Sequence, residues 1–160
     1  MKVYLDYGAA APIDPRVLEA MTPYFTEHFG NPSSVHSYSH NAQEALAKAR
    51  ESVASLINAE SPDEIAFTSG ATESNNLALK GVAYRNRDKG NRIVTTVVEH
   101  ISILNIGKYL AREGFEVVEL PVDSYGLVDV MRLTDVVKEK TILISVMYAN
   151  GEIGTIEPIE

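Results

Sequence analysis

The sequence predicts an α/β fold, a mostly parallel sheet with helices on both faces. From residue 64 onward, short runs rich in β-branched residues alternate with stretches whose apolar residues recur at helical spacing. The last run, TILISVMY (141–148), is almost continuously apolar, as in a parallel strand covered on both sides, with Ile142, Leu143, Ile144 and Val146 expected inside. The chain has 160 residues, 45% hydrophobic and 22% charged, the size and mix of one ordinary globular domain.

In order, Val3 to Asp6 reads as a short strand, followed by the turn-rich GAAAP. Asp14 caps a helix with Pro15 at its first position, where a missing N–H costs nothing, and Val17, Leu18, Met21 and Phe25 are expected to face inward. Pro23 is expected to kink it. FGNPSSVHSYSH (29–40) has the composition of a loop, and 41–57 is a helix with apolar residues at 42, 45, 46, 49, 53, 56 and 57. Strand and helix then alternate: strand 64–68, helix 72–87, strand 92–97, helix 101–113, strand 115–122, helix 129–138, strand 141–148. This β-α-β-α-β-α-β order implies right-handed crossovers. Residues 1–60 form an amino-terminal segment with its helices. Residues 61–160 form the first part of an α/β domain that is expected to be incomplete, since NGEIGTIEPIE leaves a strand and approaches a further element as the sequence stops.

A formal charge of −8, with 14 basic residues scattered along the chain, disfavours a nucleic-acid groove or an anionic membrane surface. No apolar run approaches a membrane span and MKVYLDYG lacks a signal-peptide core, so the expected compartment is the cytoplasm. The chain contains no cysteine, which excludes disulfides, thiolate metal sites and thiol chemistry carried by these residues.

Three short segments could carry chemistry. In FTSGATESNNLALKG (67–81), small and hydroxyl residues between a strand and a helix leave backbone N–H groups, the positive end of the helix dipole and the Thr72 hydroxyl open to an anion. The stretch has neither the Walker lysine nor the spaced glycines of a dinucleotide site. In VVEHISIL, Glu99 and His100 directly follow a strand, and in YANGEIG, Asn150 and Glu152 follow another. Singly these are what an ordinary cap, a structural histidine or a glycine turn also presents. Together they fall at carboxyl ends of strands, where α/β sheets bind ligands.

YLDYGAAAPIDPRVLEAM, FGNPSSVHS, IAFTSGATESNNLALKG, VEHISIL, EGFEVVELPV and TILISVMYANGEIGTIEPI resemble, in order and spacing, the amino-terminal part of cysteine desulfurases of the NifS and IscS type, and the resemblance covers essentially the whole chain. It implies the large domain of a fold-type I enzyme dependent on pyridoxal 5'-phosphate, acting on L-cysteine as a homodimer and passing sulfur to an iron-sulfur scaffold or another acceptor. By that resemblance Ala71 and Thr72 match cofactor-phosphate residues. His100 matches a histidine that stacks on the pyridine ring and helps move protons. Asn150 and Gly151 match an Asn-Asn pair near the cofactor's phenolic oxygen, and His36 matches a position near the active-site mouth on the substrate side. Two departures stand out. Gly151 replaces the second Asn, so its contact is absent or falls to Asn150, and Ala9-Ala10-Ala11-Pro12 replaces Ala-Thr-Thr-Pro. The lysine that anchors the cofactor, the aspartate at its ring nitrogen and the acceptor cysteine have no counterpart at matching positions, and Lys80 is expected to face solvent. A non-catalytic paralogue that works through a partner chain and a selenocysteine lyase are the alternatives to a desulfurase.

Overall fold

A computed structural model of the chain describes residues 1–159 and divides it into two compact units, Met1–Phe67 and the residues from Thr68 onward. The first unit is helical. Asp14 caps α1 (Pro15–Met21) by accepting the Arg16 N–H at 2.9 Å, and Pro23 opens a separate short helix, α2 (Pro23–Thr26). Pro23 therefore starts a new helix here, since proline suits a first turn and disrupts an interior. Val17, Leu18, Met21 and Phe25 are exposed, against expectation, because no element of this unit covers that face. Val3 to Asp6 has no strand partner and forms no strand. The loop at 29–40 tightens into a 3-10 turn (Ser37–Ser39) before α3 (His40–Leu56), and Gln43 pins it by donating to the carbonyls of Pro32 and Ser34 at 2.9 and 3.0 Å.

Residues 64–68 depart most from expectation. Pro62–Glu64 is a 3-10 turn capped by Ser61, and the segment after it runs to Thr68 without joining a ladder. A β-branched run becomes a strand only when a neighbour supplies the hydrogen bonds. Among the described residues three strands thus form where the sequence suggests more.

The second unit is a three-stranded parallel sheet in the order β2-β1-β3, with β1 at Arg92–Thr96, β2 at Glu116–Leu120 and β3 at Thr141–Ile144. Its helices are α4 (Ala71–Arg85), α5 (Ile101–Arg112) and α6 (Val130–Val136). Alternation along β1 separates two cores. Ile93 packs with Leu79 and Ala83 of α4 and Ile103, Ile106 and Leu110 of α5, while Val94 packs on the other face with Leu120, Val128 and Leu133 of α6. The helices lie on both faces, as the sequence predicts. Fully burying a side chain such as Leu110 contributes ~1.5–3 kcal/mol.

The strand covered on both faces is β1, whose Ile93 to Thr96 are all buried. TILISVMY is shorter as a strand than expected and lies at a sheet edge: Ile144 is 45% exposed, and Ile142, Leu143 and Val146 are half-buried. Strand order, which the apolar run does not encode, decides this difference.

Candidate functional site

The chain leaves β1 at Thr96 and turns through Val97 and Val98 into α5. Within that turn, consecutive residues take opposite roles. Glu99 points inward, 8% exposed, and its Oε1 accepts the Met147 N–H at 2.7 Å and the Thr96 hydroxyl at 3.2 Å. Burial pushes its carboxyl above the ordinary value; the two hydrogen bonds oppose that, and the nearby Glu157 adds to it. His100 points outward and caps α5: its Nδ1 accepts the Ser102 N–H at 3.2 Å and lies 2.8 Å from the Ser102 hydroxyl.

The segment after β3 forms the opposite wall. Asn150 folds it into a tight turn by accepting the N–H groups of Glu152 and Ile153 at 2.8 and 3.1 Å. Its amide donates to the Val98 carbonyl at 3.1 Å, tying this turn to the one after β1. Between them lies a cleft of about 480 Å³ lined by Glu99, His100, Met147, Asn150, Gly151 and Glu152, among others. It sits outside the carboxyl ends of β1 and β3, the place where open α/β sheets bind ligands.

Ala71 and Thr72 start α4, both exposed. Gly70 precedes them and has no side chain to cap the helix, so the first-turn N–H groups are left to solvent or a ligand. Glu73 reaches back to Ser69, accepting its N–H at 2.7 Å and its hydroxyl at 2.6 Å. The Ser69 hydroxyl, then the Ser69 N–H, hold the Glu73 carboxyl below its usual value. Asn75 of α4 donates to the Ser102 hydroxyl at 2.8 Å, so the start of α4 and His100 share one hydrogen-bonded chain. The absence of a strand at 64–68 corrects one expectation: the turn at Ser69 and Gly70 does not follow a strand.

The structure therefore gathers His100, Asn150 and Gly151 around one cleft and places Ala71 and Thr72 on the helix linked to it through Asn75. His36 belongs to the first unit, where it lines a separate cleft of about 330 Å³ with Ser34 and Gln43. Lys80 lies half-buried with its ammonium 4.3 Å from the centre of the Tyr109 ring, which gives it a structural partner. Sequence reasoning missed the roles of Asn75 and Ser102. Ser102 reads as an ordinary helix residue, and only its position two residues after a capping histidine marks it. No cluster of metal-ligating side chains occurs among the described residues, and no helix among them is long and apolar enough to cross a membrane.

The Aminotransferase class-V family matches residues 3–160. The chain belongs to this family. It is 55% identical over 157 residues to "Cysteine desulfurase IscS 1" of Archaeoglobus fulgidus, covering 98% of this chain and 41% of that protein. It is 52% identical over 159 residues to "Cysteine desulfurase IscS" of Clostridium botulinum, covering 99% and 40%. Among solved structures, a "NIFS-LIKE PROTEIN" superposes with a TM-score of 0.92 at 46% identity over 99% of this chain and 43% of that one. "SspA in complex with cysteine" superposes with a TM-score of 0.89 at 38% identity over 98% and 45%. The chain thus spans about two fifths of the length of the curated relatives it matches.

Proposed function

We propose that the chain is the amino-terminal part of a cytoplasmic, homodimeric cysteine desulfurase that binds pyridoxal 5'-phosphate, converts L-cysteine to L-alanine and passes the sulfur to an iron-sulfur scaffold or another acceptor. The observation that carries this reading is the convergence of His100 and Asn150 on one cleft at the carboxyl ends of β1 and β3, in a chain about half identical to proteins named as such desulfurases.

The donor chemistry fits the cofactor. A phosphate needs N–H and O–H donors, and the uncapped start of α4 offers both at Ala71 and Thr72. A pyridine ring needs a flat neighbour, and the His100 imidazole stands exposed beside the cleft. When bound, the cofactor supplies an electron sink for the substrate carbon. The protein residues bind and orient around it. Ala71 and Thr72 would hold the anionic end, His100 would offer its flat ring and hold or move a proton at a ring nitrogen, and Glu99 ties the two cleft walls together. Asn150 has its carbonyl oxygen fully used by the turn, so it has only its second amide N–H to give a ligand. The acceptor cysteine must come from outside these residues, since they contain none.

The test is reconstitution. The chain is mixed or co-expressed with the part of the Clostridium botulinum relative that lies beyond the matched region, supplied with pyridoxal phosphate, and given L-cysteine. The expected result is a yellow protein releasing alanine and, with a thiol reductant, sulfide in equal amounts, with neither from the chain alone above the rate of free cofactor. A reconstituted protein that binds the cofactor and yields no alanine would turn the reading toward a non-catalytic paralogue.

A further inference from the structure

His100, Ser102 and Asn75 form a hydrogen-bonded relay whose direction is set by groups that cannot exchange roles. The Ser102 backbone N–H points at His100 Nδ1 at 3.2 Å, and a peptide N–H only donates, so Nδ1 is an acceptor. The Ser102 hydroxyl lies 2.8 Å from the same Nδ1. Its oxygen accepts from the Asn75 amide at 2.8 Å, and an amide nitrogen also only donates. The hydroxyl proton is therefore directed at Nδ1, and the chain reads Asn75 to Ser102 to His100. Ser102 is 7% exposed, so water does not readily replace these partners.

We infer that Ser102, oriented by Asn75, is a positioning residue that holds the neutral His100 ring in the tautomer with its proton on Nε2. Two donors on Nδ1 remove that nitrogen from exchange with a ligand and fix the ring's rotation about its side-chain bonds. Nε2 is left as the one ring nitrogen free to hydrogen-bond a substrate or cofactor, and in the neutral ring it does so as a donor. The catalytic consequence rests on the desulfurase reading: in this tautomer His100 presents a proton to its ligand at Nε2 and does not accept one there. The tautomer does not depend on that reading.

The experiment uses the full chain without cofactor, labelled with ¹⁵N-histidine and held at a pH where imidazole is neutral. The four histidines are separated by assigning His100 through His100→Gln. The expected spectrum shows a pyrrole-like Nε2 and a pyridine-like Nδ1 for His100. In Ser102→Ala, loss of one hydrogen bond, about 1 kcal/mol, raises the share of the Nδ1–H tautomer roughly fivefold relative to the other, and Ser102→Thr restores it. Asn75→Ala shifts the ratio in the same direction by freeing the hydroxyl, and it stands as the test should Ser102→Ala fail to fold. A wild-type ring protonated on Nδ1, or a ratio unchanged in both alanine variants, overturns the inference. Neither sulfide release nor cofactor binding enters this readout, so failure of the desulfurase reading and failure of the relay are told apart.

Discussion

The Glu99 carboxylate accepts the backbone N–H of Met147 at 2.7 Å, joining the turn after β1 to the segment after β3. These two segments are the walls of the cleft, tied together by the Asn150 amide on the Val98 carbonyl and by this one buried acid. Its partner on the β1 side is the Thr96 hydroxyl, at the last residue of the strand.

This bond carries a pH dependence whose sign follows from burial. Burial raises the Glu99 carboxyl above its ordinary value, so the folded unit binds the proton more tightly than the unfolded chain does. The contribution to stability is fully present below the unfolded value and is lost as pH rises through the folded one. Glu99→Gln keeps an acceptor for Met147 and removes the titration, so hydrogen-exchange protection of the β1 amides should fall less between pH 4 and pH 7 than in the parent. Glu99→Ala should lose ~1–3 kcal/mol of that protection by leaving the Met147 N–H without its partner. Parallel pH profiles for Glu99→Gln and the parent would remove Glu99 as the titrating group.

Asn150 holds the other wall, with three hydrogen bonds from one side chain. The N–H groups of the exposed Glu152 and Ile153 can turn to water when it is removed, whereas Val98 is half-buried. Asn150→Ala should cost about 1 kcal/mol and raise amide exchange across 150–154 while leaving α5 unchanged. Equal protection of the turn in parent and variant would mean that the backbone alone maintains it.

The same turn is braced from beneath by the loop after β2. Asp123 accepts the N–H groups of Tyr125 and Leu127 at 2.8 and 2.9 Å, and Gly126 takes φ +82° between them. A Cβ at Gly126 would stand 2.3 Å from Ile153 Cδ1. Gly126→Ala takes on left-handed strain, for an expected loss of roughly 1–2 kcal/mol, while the Cδ1 end of the exposed Ile153 can turn away at little cost. Adding Ile153→Ala should therefore recover little of the loss. Thermal denaturation of the single and double variants measures this, and a large recovery would show that packing dominates.

What was legible in the sequence follows from the range of each interaction. The apolar spacing of 101–113 and the run RIVTT mark α5 and β1, because helix periodicity and β-branched content act within a few residues. The segment 64–68 has the same local character and forms no strand, since pairing depends on a distant partner. The cleft was legible as three motifs at strand ends, and two of them do meet there through Asn150 and Val98. Glu99 and His100 are adjacent in sequence, and nothing local says that one turns inward and the other outward. Ser102 and Asn75 are 27 residues apart, so their hydrogen bond became visible only once α4 and α5 had packed.

By the resemblance of its motifs, Gly151 stands in place of a second asparagine, and a Cβ added there meets open space. A Cβ at Gly151 meets nothing within 4 Å, and its φ is not among the positive values of the described glycines. The Cβ of Gly151→Asn therefore requires neither backbone strain nor displacement, and replacing glycine reduces the entropy of the unfolded chain by an amount worth ~0.4–1 kcal/mol in the alanine case. Stability should be unchanged or slightly higher. Gly151 lies in the lining shared with His100, so if the added amide reaches the cofactor the reconstituted protein carrying Gly151→Asn should bind pyridoxal phosphate more tightly, by roughly fivefold for one new neutral hydrogen bond of about 1 kcal/mol. Titration of the visible absorbance with cofactor measures the change. An unchanged dissociation constant with intact folding would show that residue 151 does not reach the cofactor, and that Asn150 carries whatever contact this wall makes.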